Sequence, residues 1–446
     1  MKKFTTLLLL LGFAFAGAAA DTNATDWLTR PLSLTDALNT ALQQNATIRE
    51  AQNDLEAQHG IVIQTRAVAL PQLKATGQYT DEEKTLLQEF PGFAFPIPHQ
   101  NWNAGIQVVQ SIYMGGRMVA AFRAADATQK QAVANYQTSV ADTLLNVRIA
   151  YFDVLLAAQQ ITVQEASVKL LQKEQDDQQH RLDAGTVPKF NVLRAEVAVA
   201  NQRPNLISAH NSYRIAKNNL ANLLGYNLPR NVWEDIPLNL TDTFDTSPYS
   251  VNLPDAVQQA LTRRTELTAL RKDVELQNLN IVNAKAGYKP SVSVFAGYNW
   301  INSSFSTDPE DQFNGWNAGA QLNWNIFDGL LTYGKVKQAK AQYARSQTTL
   351  EDRQRQIELE VRTAYSDFLQ ARETLDSQQK VQEEADEALR EAKARAEAGT
   401  GTQLDVLDAE TSLTQARTTQ IQAQHDYVTA RARLDRAIGT DFTTAR

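Results

Sequence analysis

The chain has 446 residues, a formal net charge of -7, 21% charged residues and no cysteine. The length admits more than one domain, and the missing thiols exclude a disulfide framework, a thiolate metal site, a cysteine nucleophile and a lipid-modified N-terminal cysteine. The acidic balance lacks the basic footprint of a nucleic-acid binder, so no nucleic-acid partner is expected.

The first predicted element is a secretory signal peptide over residues 1–20. Lys2 and Lys3 form a basic start, Leu7 to Ala16 an apolar run, and Ala18, Ala19 and Ala20 a small-residue cleavage site before Asp21. Its removal takes away two lysines and no acid, leaving a charge near -9. No later stretch offers the roughly 20 consecutive apolar residues of a membrane helix.

A helix is expected from about Thr35 to Leu70, with Ser33 as a cap-type residue ahead of it. A short strand follows, with Leu73, Ala75 and Tyr79 on one face. After a loop comes a second strand carrying Trp102, Ala104, Ile106, Val108 and Ile112. A very long helix then runs from Gly116 to about Ala184, without proline, and ends in an "AGT" turn. A further helix continues to about Leu224. Residues 226–252, with Pro229, Pro237 and Pro248, read as a linker.

The same order then returns. A helix is expected from Pro254 to Gly287 after Asn252, then two strands, a long helix from Leu330 to about Ala398, a second "AGT" turn and a helix to Ile438. An offset of 214 pairs Trp102 with Trp316, Gly115 with Gly329, Tyr151 with Tyr365, Asp153 with Asp367 and Gly225 with Gly439. Upstream the offset is 219, pairing Pro71 with Pro290. The chain is thus an internal duplication, with expected units at 21–225 and 253–446 around the 226–252 linker.

Each long helix would extend on the order of 100 Å at about 1.5 Å per residue. A globular core cannot cover that length, but bundled helices can. Apolar residues at 3–4 spacing support a coiled-coil seam: Val147, Ala150, Val154, Ala157 and Ile161, then Val361, Ala364, Phe368, Ala371 and Leu375.

The strands alternate with period two. Val292, Val294, Ala296, Tyr298 and Trp300 share one face, as do Trp316, Ala318, Ala320, Leu322, Trp324 and Ile326. Asn317, Gly319, Gln321, Asn323 and Asn325 share the other, and Phe295 breaks the rule in its own strand. Such alternation fits transmembrane β-barrel strands or a half-buried soluble sheet; the signal peptide and the aromatic ends point toward the membrane. Four strands cannot close a barrel, and lipid does not tolerate an open edge. The barrel must therefore be shared between chains. On this reading Val292, Val294, Trp316, Leu322 and Trp324 face outer-membrane lipid, while Asn317, Gln321 and Asn323 face the lumen.

The layout resembles the TolC family of outer-membrane export channels over nearly the whole mature chain. The resemblance rests on the duplication, the hairpin before each long helix, and the tip segments "RLDAGTVPKFNVLRAE" (181–196) and "RAEAGTGTQLDVLDAE" (395–410). It implies a mainly α fold with a small β part. A homotrimer would form a twelve-stranded barrel in the outer membrane and an α-helical barrel across the periplasm. The implied partners are a periplasmic adaptor (membrane fusion protein) and an inner-membrane transporter. The implied function is export of small molecules through a tripartite pump, or alternatively type I protein secretion. A periplasmic coiled-coil adaptor is the rival from another class. Ala396 and Gly401 stand where some relatives carry a tyrosine and an arginine of a tunnel-closing network.

Two candidate sites follow. The turns Ala184-Gly185-Thr186 and Ala398-Gly399-Thr400 read as helix C-caps and, by the resemblance, as adaptor-docking tips. Asp405 and Asp408, one turn apart, read either as helix-start caps or as acidic rings at the periplasmic entrance. No catalytic constellation, cofactor motif or metal-ligand spacing is present. His59, His99, His180, His210 and His425 are scattered, and "AGTGT" lacks the lysine of a phosphate loop.

Overall fold

The computed structural model describes residues 31–83, 99–226, 236–303, 308 and 311–440. The expected signal peptide and residues 227–235 of the linker lie outside them.

Strand β1 (Pro31–Leu32) leads into α1 (Leu34–Gln44) and α2 (Ala46–Ala67). The hairpin β2 (Gln72–Asp81) and β3 (Gln100–Met114) follows, then α3 (Arg117–Asp183) and α4 (Lys189–Leu223). Strand β4 (Asn239–Leu240) lies in the linker and pairs in parallel with β1. The second copy comprises α5 (Leu253–Arg263), α6 (Thr265–Lys285), β5 (Ser291–Asn302), β6 (Gln312–Asn323), α7 (Leu331–Glu397) and α8 (Gln403–Ile438). Helices α3 and α7 start and end 214 residues apart, and α1 and α5 start and end 219 apart, so the duplication is structural as well as sequential.

The single helix expected at the start of each copy is two helices in the structure. Asn45 breaks the first: its side chain accepts from Ile48 N at 3.1 Å, capping α2, and donates to Leu223 O at 2.6 Å. Arg264 breaks the second, its backbone near φ -59°, ψ 121° and its guanidinium held by Glu266 and Glu360. Neither break carries a glycine or proline; Asn45 is a cap-type residue that the sequence reading passed over, and Arg264 carries no local signal.

The expected seam is the core. Val147, Ala150, Val154 and Ala157 are buried, as are Val361, Phe368, Ala371 and Leu375. The first-copy core gathers Leu144, Val147, Tyr151 and Val154 with Ala37, Leu38, Leu220 and Leu224. The second gathers Ile357, Val361, Phe368 and Leu375 with Leu267, Tyr427 and Leu434. Alanine is frequent on both faces, which lets the paired helices approach closely. Tyr151 is fully buried, and its hydroxyl is satisfied by Leu32 O and by Asp242 of the linker, both at 3.0 Å.

Glycine punctuates matching places in the two copies. Gly115, Gly185 and Gly225 have positive φ, as do their counterparts Gly329, Gly399 and Gly439. The exception is the helix entry after Gly115. Gly116 sits there at φ 94°, but Leu330 takes the equivalent place at φ 70°, the one non-glycine with positive φ among the described residues.

Candidate functional site: a sheet face, two tips and a buried joint

The strands form one antiparallel sheet in the order β2-β3-β5-β6. Its register builds one apolar face across all four strands, with Leu73 opposite Val108, Ala75 opposite Ile106, Ile106 opposite Tyr298, Val292 opposite Leu322, and Tyr298 opposite Trp316; Val109, Phe295, Ile301 and Phe313 lie on the other face. Val294 lies on the apolar face opposite Ala320. Asn317, Gln321 and Asn323 lie on the other, opposite Gly297, Ser293 and Ser291. Because side chains alternate with period two, this register could not slip by one residue without inverting both faces.

Three details depart from the expectation. The chain leaves the ladder after Asn323, so Trp324 and Ile326 lie outside β6; the Trp324 indole N–H donates to Tyr288 O at 3.2 Å. A bulge between Ser111 and Tyr113 sets Ile112 out of pairing and brings Tyr113 opposite Val292. Phe295 stands on the polar face because its ring covers Gly319 directly opposite, where an added Cβ would lie 2.9 Å from the ring. On the same face Asn299 donates to Asn317 at 3.1 Å. Strands β2 and β6 are the edges of this sheet.

Beyond the hairpin, α3 and α7 each carry the chain 67 residues to a tip, about 100 Å at the helical rise. Ala184, Gly185, Thr186, Ala398, Gly399 and Thr400 are all exposed. Both turns are Schellman caps. Gly185 N donates to Leu182 O and Thr186 N to Arg181 O, and the second tip repeats this with Gly399 to Ala396 and Thr400 to Arg395. At the second tip Gly401 packs tightly: an added Cβ would meet Arg395 Cβ at 3.0 Å, so the arginine of the closing network has no room here without a shift.

Asp405 is part of a capping box. It accepts from Thr402 N at 2.9 Å and from Thr402 Oγ1 at 2.8 Å, while Asp405 N donates back to that hydroxyl. The Thr402 backbone N–H holds its carboxyl below the ordinary carboxylate range. Asp408 is exposed one turn on and makes no cap.

The sequence reading missed a polar joint between the copies. His425 on α8 is buried, with Nε2 at 2.9 Å from Asp153 on α3 and Nδ1 at 3.0 Å from Asp426. Phe244 of the linker packs edge-on against the imidazole. Nearby, Glu266 receives Arg264 and Arg436, each at 2.8 Å, and Arg436 also bonds Asp142 on α3. Burial alone would raise the Glu266 pKa, but the Arg264 hydrogen bonds and the charge of Arg436 bring it down to about 2. These partners lie up to 294 positions apart in the chain, and no spacing rule connects them.

Among the described residues no helix is long and apolar enough to cross a membrane, and no cluster of acids and histidines could hold a metal.

Comparison with known proteins places this architecture. The model of the outer membrane efflux protein family matches residues 37–226 and again 256–440. The chain belongs to the outer membrane efflux protein family. Its two matches are the two copies of the duplication. Outer membrane protein TolC of Escherichia coli is 25% identical over 99% of this chain and 87% of its own length. The cobalt-zinc-cadmium resistance protein CzcC of Cupriavidus metallidurans is 25% identical over 92% of this chain and 90% of its own. The crystal structure of the Campylobacter jejuni outer membrane channel CmeC superimposes with a TM-score of 0.79 at 15% identity, covering 92% of this chain and 87% of that one. As a family member, this protein is an outer-membrane efflux channel with a TolC-like fold.

Proposed function

We propose that three copies close their sheets into one twelve-stranded barrel, and that the α3–α4 and α7–α8 pairs form a continuous α-helical conduit below it. One observation carries this reading: the four-stranded sheet has an apolar face across all its strands and two edges, β2 and β6, left for other chains. Lipid supplies no hydrogen bonds to such edges, so only a shared barrel satisfies them. The large exposed side chains support it, with Leu73 71%, Trp316 80% and Leu322 66% exposed in the single chain. Val292, Val294, Trp316, Leu322 and Trp324 then contact lipid, and Asn317, Gln321 and Asn323 line the lumen.

The conduit exports small molecules. An inner-membrane transporter delivers them through a periplasmic adaptor that docks on the exposed tips around Gly185 and Gly399. Asp405 and Asp408, repeated by threefold symmetry, form the acidic rim of the periplasmic entrance. The test is mass measurement in mild detergent followed by single-channel recording. A trimer that conducts is expected. A monomer with its helix and strand signals intact overturns the reading. For the tips, Gly399→Trp is expected to abolish export while leaving the trimer in the outer membrane; full export by that trimer reduces the turn to a helix cap.

A further inference from the structure

A cavity of about 420 Å³ opens in the helical wall between α3, α4 and α8. Its lining is mostly carboxamide and hydroxyl: Gln164 and Ser167 from α3, Gln202 and Asn205 from α4, and Thr414 from α8. Small-molecule pockets are more often apolar with a few polar groups; here the proportion is reversed. Among the described residues that line it, Glu410 of α8 is the one ionisable side chain.

The export reading has no use for this carboxylate. Glu410 is 2% exposed. Lys393 of α7 brings its Nζ to 3.2 Å from Oε1, while Oε2 has no hydrogen-bond partner among the described residues. An ionised carboxylate offers about four acceptor sites, so most of its capacity is unused. A buried charged acceptor left open costs stability unless something fills it.

Charge narrows the class of ligand. The charges that act on Glu410 are those of Lys393 and of Glu174 on α3. The Gln178 amide that donates to Glu174 adds none. Two carboxylates against one ammonium leave one negative charge uncompensated. Burial pushes the Glu410 carboxyl above its ordinary range, as expected of an acid short of counter-charge. Calcium and magnesium favour several oxygen ligands with carboxylates among them, and no cluster of acids and histidines among the described residues could hold a metal. No aromatic ring lines the cavity among the described residues, so a quaternary ammonium finds no cation–π cage. A primary ammonium has three N–H donors. It can bond Oε2 and the neighbouring amide and hydroxyl oxygens together.

We propose that this cavity binds a small hydroxylated organic monocation, of the amino-sugar or amino-alcohol class, with its primary ammonium on Glu410. The site lies wholly within one chain, so it stands apart from the trimeric reading. Its walls are already oriented. Asn205 Nδ2 donates to Gln202 Oε1 at 3.1 Å, and Gln202 Nε2 donates to Gln164 Oε1. Thr414 Oγ1 lies 3.0 Å from Ser167 Oγ. The amide row joins α4 to α3, and the hydroxyl pair joins α3 of the first copy to α8 of the second. A ligand held by both therefore stabilises the junction of the copies.

Calorimetric titration of the detergent-solubilised protein with glucosamine at pH 6.5 is expected to show one saturable site per chain. Glucose lacks the ammonium and choline lacks its N–H donors; each is expected to bind about tenfold more weakly or worse. Glu410→Gln is expected to weaken glucosamine by about tenfold or more. It should also abolish the rise in unfolding temperature that glucosamine gives the parent. Lys393→Gln removes the resident cation and is expected to tighten glucosamine. Gln202→Leu alters only the amide row; it is expected to weaken binding, and it decides the matter should Glu410→Gln fail to fold. No saturable binding by the parent overturns the proposal. So does equal affinity for glucosamine and glucose, or an affinity for glucosamine that Glu410→Gln and Gln202→Leu leave unchanged.

Discussion

His425 and Asp153 are 272 positions apart in the chain, yet the histidine Nε2 lies 2.9 Å from the aspartate Oδ1, joining the second copy to the first. Its Nδ1 faces Asp426 at 3.0 Å. An imidazolium with a proton on each ring nitrogen can donate to both carboxylates at once. Burial pushes the imidazole pKa down, but the hydrogen bonds and charges of Asp153 and Asp426 outweigh it and raise the pKa above 6.5. A raised folded-state pKa gives stability that is complete below the unfolded value and is lost as pH rises through the folded value. His425→Gln keeps a donor but no charge. It is expected to cost about 1–3 kcal/mol in acid, and less above neutral pH. Urea unfolding of wild type and variant at pH 5.5 and 8.5 measures both.

Glu266 gives the opposite pH response. Its pKa is drawn down to about 2 from 4.5, so its contribution is present above the unfolded pKa and disappears as pH falls from about 4.5 toward 2. Glu266→Gln removes the anion that the buried Arg264 and Arg436 share, while Glu360 and Asp142 still pair with them. The expected loss is about 1.5–3 kcal/mol at neutral pH, shrinking in acid. Thermal unfolding at pH 7 and pH 3 checks it, and an equal loss at both would remove Glu266 from the account.

Leu330 and Gly399 test the same backbone physics in opposite directions. Leu330 has φ 70° where the first copy uses Gly116, and Gly399 has φ 73°. Left-handed backbone costs an L-residue about 1–2 kcal/mol. Leu330→Gly is therefore expected to raise stability by about 0.5–1 kcal/mol after the chain-entropy cost of glycine. Gly399→Ala is expected to lower it by about 1 kcal/mol, with no steric part, since nothing lies within 4 Å of the added Cβ. Differential unfolding of the two variants decides.

The two faces of the sheet should respond differently to charge. Leu322 lies on the apolar face and Asn323 on the polar one. Leu322→Arg is expected to cost roughly 2–4 kcal/mol if that face lies near the bilayer midplane, and Asn323→Arg far less. The yield of assembled protein in the outer-membrane fraction reports the difference. Equal yields would mean that no lipid meets the sheet, and a greater loss for Asn323→Arg would mean that the faces are exchanged.

The sequence by itself determined the duplication, the long helices, the strand faces and the turns. These are properties of local period and of fixed offset: Val147 to Ile161 at 3–4 spacing, Trp316 to Leu322 at period two, and Gly185 with Gly399 at positions only glycine takes easily. The tertiary structure alone decided the breaks at Asn45 and Arg264, the placement of Phe295 over Gly319, and the joint of Asp153 with His425. Asn45 can cap a helix by itself, but the break there is fixed by its bond to Leu223, and Arg264 is an ordinary helix residue until Glu360 stands beside it. Phe295 reads as an error of alternation until the strand register sets a glycine opposite. An ion pair between residues 272 apart leaves no periodic trace, because its partners are chosen by how two coiled coils dock rather than by anything repeated along either one.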